Sequence, residues 1–302
     1  MIKRLLMMLL VIQAAGVLAL AVGAHHWWKL GWPASVAFGL AVLLLVRLSI
    51  SVNNFRLSRR AGSVTPAAHA LNPARAANLF LHEFSSSMLT SSWYMLRPIG
   101  LQLQPQARGL PVLLIHGYAC NSGYWLPMSK LLAQARISHY GIDLEPPGAS
   151  IDDFAPQVDV AVERLCAATG SAQVILLCHS MGGLVARAYL RRHGHARIAR
   201  VVTLGTPHHG TALANLGPGS NAAQMRRGSE WLGTLAASEA NLQRTLFSSI
   251  YSVHDNIIAP QDSSELAGAR NLVFGAIGHV ALGRHPEIMR CALNEIEAAA
   301  QQ

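Results

Sequence analysis

Val174-Ile-Leu-Leu-Cys-His-Ser-Met-Gly-Gly183 is an apolar run that stops at a serine, with two glycines just beyond it. Four β-prone apolar residues in a row read as a strand buried on both faces. The next residues, Leu184-Val-Ala-Arg-Ala-Tyr-Leu190, have helical spacing. Ser180 therefore falls on a sharp strand-to-helix turn. Its hydroxyl stands above the sheet, and the following backbone N–H groups point at the same space. This is the geometry of a nucleophile elbow. A bare hydroxyl needs both a base and a ready site for the developing anion, and such a turn supplies half of that. Cys178 stands where the motif has its first glycine, while Gly182 and Gly183 keep the positions where a side chain would block helix–strand approach. Taken alone, the stretch also fits an ordinary buried strand followed by a serine-capped helix.

Working outward, apolar runs of strand length recur at 111–116, 138–143, 200–204, 249–254 and 271–277. Helical patterns lie between and after them at 123–135, 154–169, 181–192 and 286–299. Alternation of this kind predicts an α/β fold with a mostly parallel central sheet and helices on both faces. Chemistry in such sheets collects beyond the carboxyl ends of the strands. His279 follows the last strand, in Gly275-Ala-Ile-Gly-His-Val-Ala-Leu282, where it can swing over the sheet and accept the Ser180 proton. Asp255 ends the run Ser249-Ile-Tyr-Ser-Val-His-Asp-Asn256 and can orient that imidazole. Asp143 competes for this role but precedes the serine; the order Ser…Asp…His selects Asp255 and leaves Asp143 as a turn cap. In Val112-Leu-Leu-Ile-His-Gly-Tyr118 the glycine permits a tight turn. That turn aims the Tyr118 N–H at the space above Ser180, where it pairs with the Met181 N–H as an oxyanion hole. His116 is expected to be structural.

Of 302 residues, 51% are hydrophobic and only 13% charged, enough apolar chain for one large core. Residues 1–60 carry seven basic side chains and no acidic one, so seven of the nine net positive charges are N-terminal. The rest is nearly neutral, which argues against a nucleic-acid surface. Cys120, Cys166, Cys178 and Cys291 show no C-x-x-C spacing; Cys178 and Cys291 lie in apolar patterns and read as small buried hydrophobes, with a disulfide as the alternative. No zinc-binding spacing occurs, and neither a metal nor another cofactor is expected.

Residues 5–24 are uncharged and long enough to span a bilayer. His25-His26-Trp27-Trp28-Lys29-Leu30-Gly31-Trp32-Pro33 suits an interfacial turn with an aromatic belt. Residues 34–46 resume the apolar run, and Arg47 can snorkel at its end. The expectation is a two-helix transmembrane hairpin. A cleaved signal peptide ending near Val22-Gly23-Ala24 is the rival, with an apolar run too long for it and a second run unexplained. Basic residues flank the pair on the outside, which puts both ends, and everything after residue 60, on the cytoplasmic side.

Together, His116-Gly117, Cys178-His-Ser-Met-Gly-Gly183, Leu204-Gly-Thr-Pro-His-His-Gly210, Asp255 and Gly278-His279 resemble bacterial lipases and related carboxylesterases of the α/β-hydrolase fold. The resemblance covers roughly residues 108–300. It implies Ser180 as nucleophile, His279 as base, Asp255 as triad acid, and the backbones of Tyr118 and Met181 as oxyanion hole. The resulting organisation is a hairpin at 1–50, a juxtamembrane linker and start of the hydrolase domain at 51–107, and a catalytic domain at 108–302. Similar lipases place a mobile lid where this chain has 211–245; a helix packed on the core is the equal alternative. Tyr118, Tyr124, Trp125 and Trp231 are the expected substrate-lining aromatics. The expected activity is hydrolysis of carboxylic esters with apolar, lipid-derived acyl groups at the membrane. An acyltransferase or thioesterase with the same triad is the alternative, and a non-catalytic binding protein a third reading. The sequence sets no oligomeric state.

Overall fold

The computed structural model describes residues 1–239 and 244–301. Its strands are β1 (Leu101–Gln102), β2 (Val112–Ile115), β3 (His139–Ile142), β4 (Val174–His179), β5 (Ile198–Leu204), β6 (Phe247–Ser252) and β7 (Arg270–Phe274). They form one sheet in the order β1-β3-β2-β4-β5-β6-β7. Only β1 runs antiparallel to its neighbour; every other pair is parallel, as the alternation predicts.

β2 and β4 are buried at every position, which is why they read as unbroken apolar runs. Successive side chains still alternate between faces. Leu176 and Cys178 pack with α5 (Ile151–Thr169) and α6 (Met181–His193). Ile175 and Leu177 pack on the other face with α4 (Leu126–Gln134) and a C-terminal helix at Pro286–Ala299. Each fully buried Leu or Ile contributes about 1.5–3 kcal/mol, so this double-faced core dominates the stability of the region. It also fixes where the strand ends lie. Register pairs Ile115 with Cys178 and His179 with Leu204, bringing the loops after β2, β4 and β5 to one edge.

The N-terminal segment forms two antiparallel helices, α1 (Ile2–Trp28) and α2 (Trp32–Ala61). At their turn His25 stacks on Trp32 at 4.3 Å and donates through Nδ1 to Leu30 O at 2.7 Å. Both helices are long and apolar enough to cross a membrane, by length and composition. The most apolar 18-residue window of α1 is only 6% buried, and that of α2 17%, whereas a core helix of this composition would be mostly covered. The Met1 end of α1 lies against Glu145, beside the sheet, so the tryptophan turn is the far end of the hairpin.

One expectation changes here. Residues 51–61, expected to begin the juxtamembrane linker, are helical, because α2 continues unbroken to Ala61. Phe55 packs against Phe80 of α3 (Pro73–Leu89) at 5.6 Å, and the buried Ser58 donates to Asp255 O at 2.8 Å. Polar composition suggested a linker, but the polar residues cover one side of a helix whose other side docks onto the sheet domain.

Candidate active site

Ser180 links β4 to α6 with φ 54° and ψ −125°, a backbone region that costs a non-glycine residue about 1–3 kcal/mol. Its N–H donates to Leu204 O, and Thr206 Oγ1 donates to Ser180 O, both at 2.9 Å. These bonds hold the strained turn. Room is made by the two glycines. A Cβ on Gly182 would sit 2.6 Å from Ile115 O, and one on Gly183 would strike the Thr206 hydroxyl. Cys178 replaces the motif's glycine without a clash because its side chain lies wholly in the core, where burial pushes the thiol pKa up.

Two backbone groups face Ser180. Met181 is the first residue of α6, where an N–H has no intrahelical acceptor. Gly117 follows β2 so closely that a Cβ there would lie 2.9 Å from Ser180 Cβ. The backbone at Gly117 therefore passes directly beside Ser180. Tyr118 is tied down by its own hydroxyl, which donates to Pro218 O at 2.7 Å.

Asp255 and His279 are both buried and directly bonded. His279 Nδ1 donates to Asp255 Oδ2 at 2.7 Å. The other carboxylate oxygen accepts from Ile257 N at 2.8 Å and Ile258 N at 2.7 Å, so both oxygens are engaged. Burial alone would lower the His279 pKa. The charge of Asp255, the hydrogen bond it accepts and the charge of Glu83 outweigh that and raise it. Ser180 Oγ makes no hydrogen bond to His279; the two line the same cavity of about 530 Å³, and such contacts often tighten only around substrate.

Asp143 accepts from Ser122 N at 2.7 Å, the turn-capping role expected of it. His116 is likewise fully engaged: Nδ1 donates to Gly117 O at 2.8 Å and Nε2 accepts from Leu144 N at 3.0 Å.

Two residues that sequence reasoning did not single out matter here. His179 is sandwiched between Tyr124 at 4.2 Å and His279 at 4.6 Å, and donates through Nε2 to His279 O at 3.1 Å. Burial, with the neighbouring His279, holds its pKa well below the usual value, so it braces the loop as a neutral ring. Its position just before Ser180 was the available signal. Glu83 is buried on α3 and accepts from Val280 N at 3.0 Å and Ala281 N at 2.9 Å. It caps the short turn that begins beside His279, although burial pushes its carboxyl pKa up against those bonds. Nothing in the local sequence marks it.

The expected lining aromatics divide. Tyr118 and Tyr124 line the cavity. Trp125 does not: it is fully buried in the core beneath Tyr124. Trp231 also lies elsewhere, packed against the α5–α6 core with Nε1 donating to Asp152 Oδ2 at 2.8 Å. Its helix, Glu230–Ala237, buries Leu232 and Leu235 in that core. No described residue of 211–245 lines the cavity, and 240–243 lie outside the described residues. The cavity's remaining lining includes residues of α1 (Leu6, Leu9, Gln13), α2 (Arg47, Ile50) and α3. A separate cavity of about 580 Å³ lies behind Asp255, between α2 and α3, and does not reach Ser180.

Comparison with known proteins bears on the fold. Residues 111–228 match a family model described as the alpha/beta hydrolase fold. A triacylglycerol lipase of Pseudarthrobacter phenanthrenivorans is 33% identical over 115 residues, 35% of this chain and 35% of that protein. One of Burkholderia plantarii is 33% identical over 115 residues, 35% of this chain and 31% of its own. The match thus spans about a third of the length of these curated relatives. Among solved structures, mature Bacillus licheniformis lipase BlEst2 superposes with TM-score 0.56 at 18% identity, covering 62% of this chain and 92% of that one. Aspergillus fumigatus lipase B gives 0.54 at 18% identity, covering 64% and 55%. The sheet domain has the α/β-hydrolase fold.

Proposed function

We propose that this chain is a membrane-anchored serine hydrolase that cleaves carboxylic esters with apolar acyl groups. The observation that carries the reading is the buried His279–Asp255 pair at 2.7 Å, whose imidazole lines the same largely apolar cavity as a serine on a strained elbow. Ser180 Oγ attacks the carbonyl while neutral His279 Nε2 takes its proton. The Tyr118 and Met181 N–H groups stabilise the oxyanion, a contribution of about 3–4 kcal/mol per donor. His279 then returns the proton to the leaving alcohol, and water, deprotonated by the same imidazole, releases the acyl group. Asp255 keeps the tautomer that presents Nε2 as an acceptor.

Triacylglycerol lipases among the relatives support the ester class. The anchor is supported by two largely uncovered apolar helices, and by an exposed tryptophan turn at the end remote from the sheet. Seven basic and no acidic residues in 1–60, with both helix ends beside the sheet domain, favour a cytoplasmic site.

The test uses the full chain in detergent with an acyl-length series of p-nitrophenyl esters. Hydrolysis is expected in the wild type, and Ser180→Ala is expected to lose roughly 10⁴-fold or more. Full activity of the alanine variant would end the proposal. Added alcohol separates hydrolysis from acyl transfer: free acid should remain the main product.

A further inference from the structure

Arg47 lines the cavity that holds Ser180 and His279. It comes from α2, in the stretch long and apolar enough for a membrane span, yet it turns toward the cavity rather than outward. Its Nη2 donates to Gln13 Oε1 at 2.6 Å, and its Nη1 approaches Ser91 Oγ and Ser92 Oγ at 3.3 Å and Met88 Sδ at 3.2 Å. Every one of these partners is neutral. Among the described residues Arg47 has no ion-pair partner, and no Asp or Glu lines the cavity.

A half-buried guanidinium held by neutral groups, in a stretch apolar enough to span a membrane, marks a ligand or ion site. The reaction does not use it. The oxyanion and the product carboxylate both arise at Ser180, beside the 117–118 backbone. An anion at Arg47 must therefore be carried by another part of the substrate. The groups around it suit phosphate: a planar fork of N–H donors, two serine hydroxyls and the Gln13 amide can reach several oxygens of one tetrahedral anion. The remaining lining is largely apolar, and the volume is within the range that takes a small ligand or part of a lipid.

We infer that Arg47, with Gln13, Ser91 and Ser92, is a subsite for the phosphate of an ester lipid whose acyl carbonyl lies at Ser180. The preferred substrates are then acyl esters of glycerol phosphate type. The hairpin is part of the substrate site as well as an anchor. This inference rests on Ser180 being the nucleophile.

The test compares full-length protein in detergent micelles on two esters with the same acyl chain, a lysophosphatidic acid and the matching monoacylglycerol. A fluorophosphonate probe reports Ser180 independently. The wild type should favour the phosphate-bearing ester. Arg47→Gln should lower the phosphate-to-neutral rate ratio about tenfold or more, and Arg47→Lys, which keeps the charge and loses the fork, should fall between. An unchanged ratio in Arg47→Gln, with the probe still labelling, overturns the subsite alone. Failure of the probe to label wild type at Ser180 overturns the nucleophile reading and this inference with it. Inorganic phosphate added to the monoacylglycerol assay distinguishes a headgroup site from a free-anion site. No inhibition is expected, and inhibition that disappears in Arg47→Gln would overturn the assignment to a lipid-borne phosphate.

Discussion

The two walls of the cavity are built on opposite principles. On the sheet side, Asp255 accepts from the Ile257 and Ile258 N–H groups and the His279 N–H donates to Asn256 Oδ1, above strands buried on both faces. On the hairpin side, the cavity lining is largely apolar and carries one charge, Arg47, with no acidic residue in the lining. Such bonds hold Asp255 and His279 in place, because moving either leaves a buried polar group unpaired. An apolar wall with one unneutralised cation is shaped for a ligand it does not yet hold. The proposed division follows: the sheet wall does the chemistry and the hairpin wall selects what reaches it.

Breaking the sheet wall should have the largest effect. Asp255→Asn offers His279 Nδ1 the wrong partner and stabilises the unproductive tautomer, so kcat should fall about 10⁴-fold, measured with a short p-nitrophenyl ester. Glu83→Gln tests whether α3 belongs to that wall. An amide NH2 must face the Val280 or Ala281 N–H, so kcat/KM should drop about 10- to 100-fold through loss of positioning. The sign of its pH effect is also fixed. His279 must be neutral to act as base, so activity rises as pH passes its raised pKa. The Glu83 charge contributes to that rise, and removing it should move the acid limb of the kcat/KM profile to lower pH. An unmoved limb would show that Glu83 is only a packing residue.

Changes in the hairpin should redirect rather than abolish activity. Leu9→Trp fills the α1 side of the cavity and should reduce the ratio of long-chain to short-chain ester hydrolysis about tenfold. A proportional loss on both chain lengths would place the acyl chain elsewhere. Trp231→Phe marks the small end. It removes one half-exposed hydrogen bond to Asp152, and should cost about 1 kcal/mol or less in denaturant unfolding with chain-length preference unaltered. A shifted preference would restore the lid at 211–245.

The sequence disclosed the sheet wall more fully than the hairpin wall, for a physical reason. Ser180, Asp255 and His279 announce themselves because a parallel sheet places chemistry at strand ends, and strand ends are legible as interrupted apolar runs. The glycines at 182 and 183 are legible because only close backbone approach demands them in a helix start. Glu83 is not, since its partners lie nearly two hundred residues away and its helix has an ordinary amphipathic pattern. Residues 51–61 looked like a linker because their buried side chains, Ser58 among them, are polar or widely spaced. Trp125 and Trp231 looked like pocket residues because a large aromatic fills a core as well as it lines a cleft. Arg47 was readable only as a snorkelling end; the side to which it turns is a tertiary fact.

The most direct test is an experimental structure of the full-length protein inactivated by a long-chain alkyl fluorophosphonate. The account predicts a covalent bond from Ser180 Oγ to phosphorus, His279 Nε2 within hydrogen-bond reach of the adduct, and the alkyl chain lying against Leu6 and Leu9 of α1. Modification at another residue, or a chain directed toward 211–245 with the hairpin untouched, would contradict it.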